Sequence, residues 1–488
     1  MSMSDAHRAV RRWASVLFLM VGAGAATAAP IALPDGALGT HWYTISILGT
    51  RSGWSEQSLR RTPDGYESLE RTVLRVALDG RGLTSARSET RRYDEALRLV
   101  EVENEADQVG RRVRVTARRR DGTLLVTRTS PDGETRQHLP VGETFGHDLH
   151  VLRALLDKQV GPGWKTVFST FDCDLGQVDE ITITAVERVE KPRPAWVLQA
   201  QSRLLSVLSR TWVTDEGVIL RQEVPGMMQM TMQLVTQEEA LADLQPFLLA
   251  SSVPVDRKMG RPGKLQRVSL EIADGGGAPD TLFPTTSRQT VTPGEHTAVL
   301  TVVAGSAPGV PGQLPFTAPE LLPYLKPSET AQSADPQLVA QAREVIGNAT
   351  DAWQAARQLM WWVNRQMTKV GSEPRPLSAL EILQTKRGDC TEHAVLLAAL
   401  AQAVGIPARM VAGLAYDAGA YHYHAWNELY VGQWVEMDPT WGEETVDAGH
   451  VQVAASALDS AAIARMSLAS SKTMGMLKLK VLDFHAQP

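Results

Sequence analysis

The sequence predicts an α+β protein in which an antiparallel β-rich half precedes a domain of helices followed by strands. Three observations carry that expectation. Short strand-like runs separated by Asp-Gly turns fill the chain from His41 to about Leu241. The hydrophobic period changes from two to that of an α-helix near Pro336. Strand-like alternation returns after Gly405 and Pro407.

At the N-terminus, Arg8, Arg11 and Arg12 precede the uncharged stretch "WASVLFLMVGAGAATAA", which ends in small residues at Ala29. A basic start, an apolar centre and a small-residue end are the pattern of a secretory signal peptide, here residues 1–28. A membrane anchor is the rival reading, but the stretch is shorter than the ~20 residues a spanning helix needs. Cleavage is expected after Ala28, because a cut before Pro30 is unfavourable. No other window is apolar enough to span a bilayer, so the mature chain is expected to be exported, to a bacterial periplasm, without an integral span. "RRW" leaves a twin-arginine route open.

About 460 mature residues correspond to two or three domains. A net charge of -6 and a pI near 6.0 give no electrostatic case for nucleic acid. Two cysteines in an exported chain argue against a disulfide framework. A single Cys173–Cys390 bridge remains compatible with the sequence. Cys173 lies in "VFSTFDCDL", where it shares a strand face with Val167, Ser169 and Phe171, and reads as a half-buried structural thiol.

The β-rich domain is expected over 36–250. "HWYTISILG", "ESLERTVLRVAL", "RRVRVTARR", "TLLVTRT", "DEITITAVERV", "AWVLQAQS" and "VILRQEV" alternate with "TPDG", "DGRG", "RRDG", "SPDG" and "TDEG". That spacing predicts antiparallel hairpins. Leu149, Leu152, Leu155 and Leu156 stand at helical spacing and predict one helix covering a mouth or face of the sheet. Arg112, Arg114, Arg118 and Arg120 share one strand face, which reads as a solvated surface in preference to an anion site. Met228, Met230 and Met232 suggest strand packing over copper, since no His or Cys accompanies them. His147 and His150 lack a third ligand nearby, and no metal is read there.

Residues 258–304 read as a small β segment, with strands "LQRVSLEIA" and "EHTAVLTVVAG" around a Gly-rich loop. The proline-rich run 305–335 suits an extended connector over a surface. The second domain is expected over 336–450, with residues 451–488 as a C-terminal extension. "PQLVAQAREVIG", "DAWQAARQLMWWVNRQM" and "PLSALEILQTKR" predict three helices, and "CTEHAVLLAALAQAVG" a fourth. "ARMVAGLAY", "YHAWNELYV" and "QWVEMD" predict strands. Helices followed by antiparallel strands make an α+β domain.

The segment "RGDCTEHA" concentrates the chemistry. With Asp389 as N-cap and Glu392 at the third helical position, a capping box forms and Cys390 becomes the first helical residue. The positive end of the helix dipole then favours a thiolate, although the charge of Asp389 opposes this, so a base is needed. Strand alternation supplies one. His424, Trp426, Glu428 and Tyr430 share a face, as do Trp434, Glu436 and Asp438. A loop of Val431, Gly432 and Gln433 sets Tyr430 opposite Trp434 and Asp438 opposite Trp426, one diagonal step from His424. Cys390, His424 and Asp438 in that geometry make a nucleophile, a base and an orienting group for acyl transfer.

"GDCTEHAVLLAALAQAVGIPARMVAGLAY", "YHAWNELYV" and "WVEMDPTW", over roughly 340–445, resemble the bacterial transglutaminase-like superfamily within the papain-like cysteine enzymes. The resemblance implies Cys390 as nucleophile, His424 as base and Asp438 as the residue orienting it. It also implies a role for Gln384, six residues before the thiol, as an oxyanion donor; an exposed helix-end amide is the alternative.

Each member has a simpler reading: a packed cysteine, a satisfied core histidine, an aspartate starting a turn. Their joint spacing favours catalysis. His422 shares the parity of His424 and is a rival base, while His393 reads as structural. No cofactor is implied, and metal binding through Cys390, His422 and His424 lacks a fourth ligand. The expected activity is attack on an amide or ester carbonyl through a thioester, with hydrolysis favoured over cross-linking and a peptide or protein as substrate. The alternative is an idle transglutaminase-like scaffold whose β-rich half binds a protein or lipid.

Overall fold

The computed structural model describes residue 33 and residues 35–487, apart from 79–80, 109–111, 131–132, 205–206, 225–228, 250–251, 275–281, 371–376, 472 and 474–476. The expected signal peptide and Met228 lie outside the described residues. The chain divides into two compact units, one ending at Leu249 and one formed by Ala250–Pro488.

In the first unit the Asp-Gly turns produce a continuous antiparallel meander. Strands β1 (Gly39–Ile47), β2 (Thr50–Thr62), β3 (Gly65–Leu78), β4 (Arg81–Tyr93), β5 (Leu99–Gln108), β6 (Arg112–Arg120), β7 (Thr123–Ser130) and β8 (Gly133–Pro140) pair in sequential order. Helix α1 (Leu149–Leu156) follows. A second run comprises β9 (Lys165–Asp172), β10 (Gln177–Val189), β11 (Ala195–Ser202), β12 (Leu208–Val213), β13 (Ile219–Val224) and β14 (Met230–Val235). The runs join where β1 pairs with β14, Thr44 opposite Gln233. After helix α2 (Gln237–Leu241), β15 (Phe247–Leu249) lies parallel to β3. Phe145, just past β8, bridges Ser169 of β9, and Arg91 of β4 reaches Thr170 of β9 at 2.7 Å. These contacts between strands distant in the sheet order mean that the sheet is curled. Helix α1 buries Leu149, Val151, Leu152, Ala154 and Leu155, and its Leu149 and Leu152 join a core with Phe145, Phe171 and Cys173. Cys173 is thus fully buried, not half-buried, and burial pushes its thiol well up.

The outer arginines behave as a solvated face: Arg118 pairs with Glu101, and Arg114 with Glu103, all on strand surfaces. Met230 and Met232 are packed in the sheet core. The inner face of β4 differs from expectation. Arg87, Glu89 and Arg91 alternate along the strand and have almost no exposure. Glu89 binds Arg87 and, at 2.7 Å, Arg91, while Arg87 also reaches Asp174 at 3.1 Å. Burial would raise the carboxyl of Glu89, but the two guanidiniums hold it down at about 2. A strand polar on both faces gives no hint of which face is inside.

The second unit contains three sheets among the described residues. β16 (Ser252–Pro254) pairs with β23 (Ala420–Tyr430), which pairs with β22 (Ala408–Asp417) and β24 (Trp434–Met437); β25 (His450–Ser456) adds to β22. β17 (Leu265–Asp274), β18 (Gln289–Pro293) and β19 (Ala298–Val303) are completed by the C-terminal β26 (Leu477–Ala486). Segments 258–304 and 451–488, separate in the sequence reading, therefore share a sheet. The third is a short parallel pair, β20 (Thr368–Lys369) with β21 (Arg387–Gly388). Residues 305–335 are packed, not free: Gly312 N–H donates to Val431 O, Leu314 N–H to Thr350 O, and Ala331 is buried.

Asp335, Asp351 and Ser378 cap α3 (Pro336–Ile346), α4 (Ala352–Gln366) and α5 (Ala379–Thr385). These three helices surround α6 (Cys390–Ala403), which also lies on β22 and β23. Helix α7 (Ser460–Ser471) packs on β25. The core is contributed by α3 to α6 and the near face of β22 to β24. Strand outweighs helix among the described residues, and the helices of the second unit concentrate around α6.

Glu89→Ala leaves two buried guanidiniums without their shared carboxylate. Chemical denaturation should show a loss of about 3–5 kcal/mol; a loss below ~1 kcal/mol would mean that the arginines find other partners.

Candidate active site

The start of α6 is fixed by its cap. The Asp389 side chain accepts from Thr391 N–H at 2.8 Å, and Glu392 reaches back to accept from Asp389 N–H at 3.0 Å. A Cβ on Gly388 would lie 2.3 Å from Cβ of Glu392, which is why glycine precedes the cap. Cys390 is the first helical residue and is buried. Helix α6 is buried over almost its whole length, so its apolar residues are core and its polar ones, Gln402 apart, cluster at the N-terminal turn. His393 folds back on the same turn, with Nδ1 2.6 Å from Asp389 O, and burial lowers its proton affinity. It serves the cap. Cys390 and Cys173 are both unbridged.

β23 carries His424 and is tied to this helix. Asn427 Nδ2 donates to Ala394 O at 2.9 Å, fastening β23 to α6. Gly413 stands opposite His424 on β22, and a Cβ there would meet Val451 O and the Trp426 ring. Tyr430 pairs with Trp434, so the loop of Val431, Gly432 and Gln433 sets the expected register. Past the end of β24, Asp438 has its Oδ2 2.7 Å from His424 Nε2. That contact leaves Nδ1 as the other ring nitrogen, the one free to serve a nucleophile. Trp441 stacks on the His424 ring with centroids 5.0 Å apart.

Asp438 is fully buried. Its Oδ1 accepts from Thr440 N–H at 2.6 Å and Trp441 N–H at 3.1 Å, while Asp438 N–H donates to Glu443 O at 2.9 Å. Burial would raise this carboxyl, but the charges and hydrogen bonds of His424 and His450 hold it well below the usual carboxylate range.

His450 stands where the sequence predicts a domain boundary. It opens β25, is fully buried, and brings Nε2 within 3.3 Å of Asp438 Oδ2. Its Nδ1 lies 3.4 Å from Asp447 Oδ1. The alternation of Val451 and Val453 after "GH" is the strand signal that would have placed it. Nearby, Arg288 clamps Glu436 with two contacts of 2.8 Å, and Trp426 Nε1 donates to the same carboxylate at 2.8 Å.

The remaining candidates stand apart. His422, a neighbour of Ser252 and Ala415 in the sheet, is half-buried, and Asp438 bonds His424 and His450 in its place. Gln384 is exposed in the last turn of α5, which is the helix-end alternative, not a water-excluded oxyanion position. His424, Asp438 and His450 approach one another as closely as metal ligands do, as do Glu443, Asp447 and His450. His424 and His450 direct imidazole nitrogens at the Asp438 carboxylate at 2.7 and 3.3 Å, and His450 directs its other nitrogen at Asp447 at 3.4 Å, distances at which a proton is shared.

Residues 339–439 match the model of the transglutaminase-like superfamily, and the chain contains that domain. Comparison with curated proteins gives no match. A candidate cysteine protease from Cytophaga hutchinsonii is 17% identical, with a TM-score of 0.31, over 46% of this chain and 87% of that one. A β-barrel-like protein from Brucella abortus, of a domain family of unknown function, is 14% identical, with a TM-score of 0.33, over 40% of this chain and 95% of that one. The periplasmic domain of TgpA from Pseudomonas aeruginosa, bound to ethylmercury, is 17% identical, with a TM-score of 0.26, over 39% of this chain and 89% of that one.

The carboxylates around His450 raise it from 6.5 to about 10 against the opposing effect of burial. A raised folded value means that this stabilisation is complete below the unfolded value and is lost as pH rises through about 10. The stability advantage of the wild type over His450→Gln, by urea denaturation, should therefore shrink steadily from pH 6.5 to 10. A difference that stays constant across that window would show that His450 is neutral in the fold.

Proposed function

We propose that the transglutaminase-like domain makes this chain an exported cysteine hydrolase acting on peptide or protein amides. The observation that carries the reading is the buried pair of Asp438 with His424, which lies on the strand to which the Cys390 helix is fastened. Cys390 is the nucleophile, His424 the base and Asp438 the group that orients it.

Nδ1 of His424 takes the thiol proton, and Sγ of Cys390 attacks the amide carbon. As the tetrahedral adduct collapses, the imidazolium returns its proton to the departing amine, leaving a thioester. His424 then removes a proton from water, whose oxygen displaces the thiolate and releases a carboxylic acid. Asp438 keeps its charge throughout and fixes the ring with Nε2 protonated. Hydrolysis is preferred over cross-linking because it needs no second site to hold an amine. Export is supported by the basic, apolar and small-residue pattern of residues 1–28. Among the described residues, no helix is long and apolar enough to cross a membrane.

Iodoacetamide at neutral pH distinguishes an enzyme from an idle scaffold, for which Cys390 would be inert. In a peptide-library screen, Cys390→Ala should reduce activity by at least ~10³-fold with the fold intact, and His424→Ala nearly as much. A larger loss from His422→Ala than from His424→Ala would overturn the base assignment.

A further inference from the structure

Asp438 Oδ2 lies between two imidazoles, His424 at 2.7 Å and His450 at 3.3 Å. The second has no place in the acyl-transfer steps. We propose that His450 is a positioning residue, a buried imidazolium that holds Asp438 ionised and oriented behind His424 and sets the pH range in which Cys390 is reactive. The proposal rests on the reading of Cys390 and His424 as nucleophile and base.

The charge of His450 follows from its proton count. A neutral imidazole has one N–H and one lone pair. His450 directs Nε2 at Asp438 and Nδ1 at Asp447, 3.4 Å away, with Glu443 3.8 Å from the same nitrogen. A lone pair facing a carboxylate repels it, so two ring nitrogens that each face one require two N–H groups. The ring is sealed from water, so its charge is compensated by these groups and not by solvent.

The other groups facing it complete the balance. From β23 come His424, with ring centroids 5.9 Å away, and Trp426, at 5.1 Å. Trp441 presents its edge at 5.2 Å. Glu436 of β24 feels the His450 charge but is bound by Arg288, whose Nη2 also donates to His450 O at 3.3 Å. Glu443 is raised to about 7 by burial, so it is the member of the cluster that changes charge near neutrality. Asp438 and Asp447 are both held below the usual range: burial raises them, and His450, with His424 at Asp438, outweighs it.

The fixed positive charge on His450, with its ring centroid 5.9 Å from that of His424, opposes any further positive charge formed at the site. Its removal should move both limbs of the reactivity profile to higher pH. Loss of the N–H should also let the carboxylate of Asp438 turn, which slows the reaction at every pH.

The test is the rate of Cys390 alkylation by iodoacetamide from pH 4 to 10, on the full chain with Cys173→Ser to remove the other thiol. His450→Gln keeps a donor for Asp438 but not the charge, and both midpoints should rise by about one pH unit. His450→Ala should show the same rise and a maximal rate lower by roughly 10-fold. Asp447→Asn removes a negative charge and leaves the imidazolium, so both midpoints should fall. It also supplies the test should the His450 variants fail to fold. Unchanged midpoints in the folded variants, beside a His424→Ala variant that has lost its reactivity, would overturn the role of His450 alone. If His424→Ala is alkylated like the parent, the nucleophile–base reading fails and this proposal with it.

Discussion

A carboxylate sealed from water is the constraint around which the second unit is organised. Removing an ion from water costs several kcal/mol unless partners replace its hydration. Asp438 obtains them from four directions: two backbone N–H groups on Oδ1 and two imidazoles on Oδ2. These partners come from three pieces of chain. The Asp438–Glu443 bridge shapes the turn that aims the N–H groups, β23 brings His424, and β25 brings His450. The order of the sheet, with β23 and β25 on either side of β22, allows both histidines to meet one carboxylate.

The thiol depends on the same arrangement through α6. The polar residues of its first turn are engaged in the cap, where Asp389 and Glu392 satisfy each other's N–H groups. Their side chains are therefore committed to structure. Cys390 stands at the N-terminal end of the helix, where the dipole favours a thiolate. Positional activation and a paired base are separate contributions. The first comes from a local sequence motif, the second from pairing between strands more than thirty residues away.

That division explains what could be read in advance. The capping box at Asp389 is local, so "GDCTE" announces both the start of α6 and the place of Cys390. The His424–Asp438 contact follows from a three-residue loop and the strand period, which are also local. His450 joins the cluster only after the chain has turned through residues 438–449, and no short-range rule measures that closure. Gln384 lies exposed at the end of α5, and a spacing borrowed from relatives carries no information on that exposure. In the first unit, Arg87, Glu89 and Arg91 are buried although alternation alone reads them as surface, since the curl of a sheet depends on strands far apart in the chain.

The central claim is that Asp438 is an ionised carboxylate shared by one base and one fixed cation. Imidazole ¹⁵N chemical shifts, followed with pH in protein labelled at histidine, test it most directly. The account predicts that at pH 7 both nitrogens of His450 are protonated, while neutral His424 carries its proton on Nε2. A neutral His450 at pH 7, or a His424 ring protonated on Nδ1 alone, would contradict it.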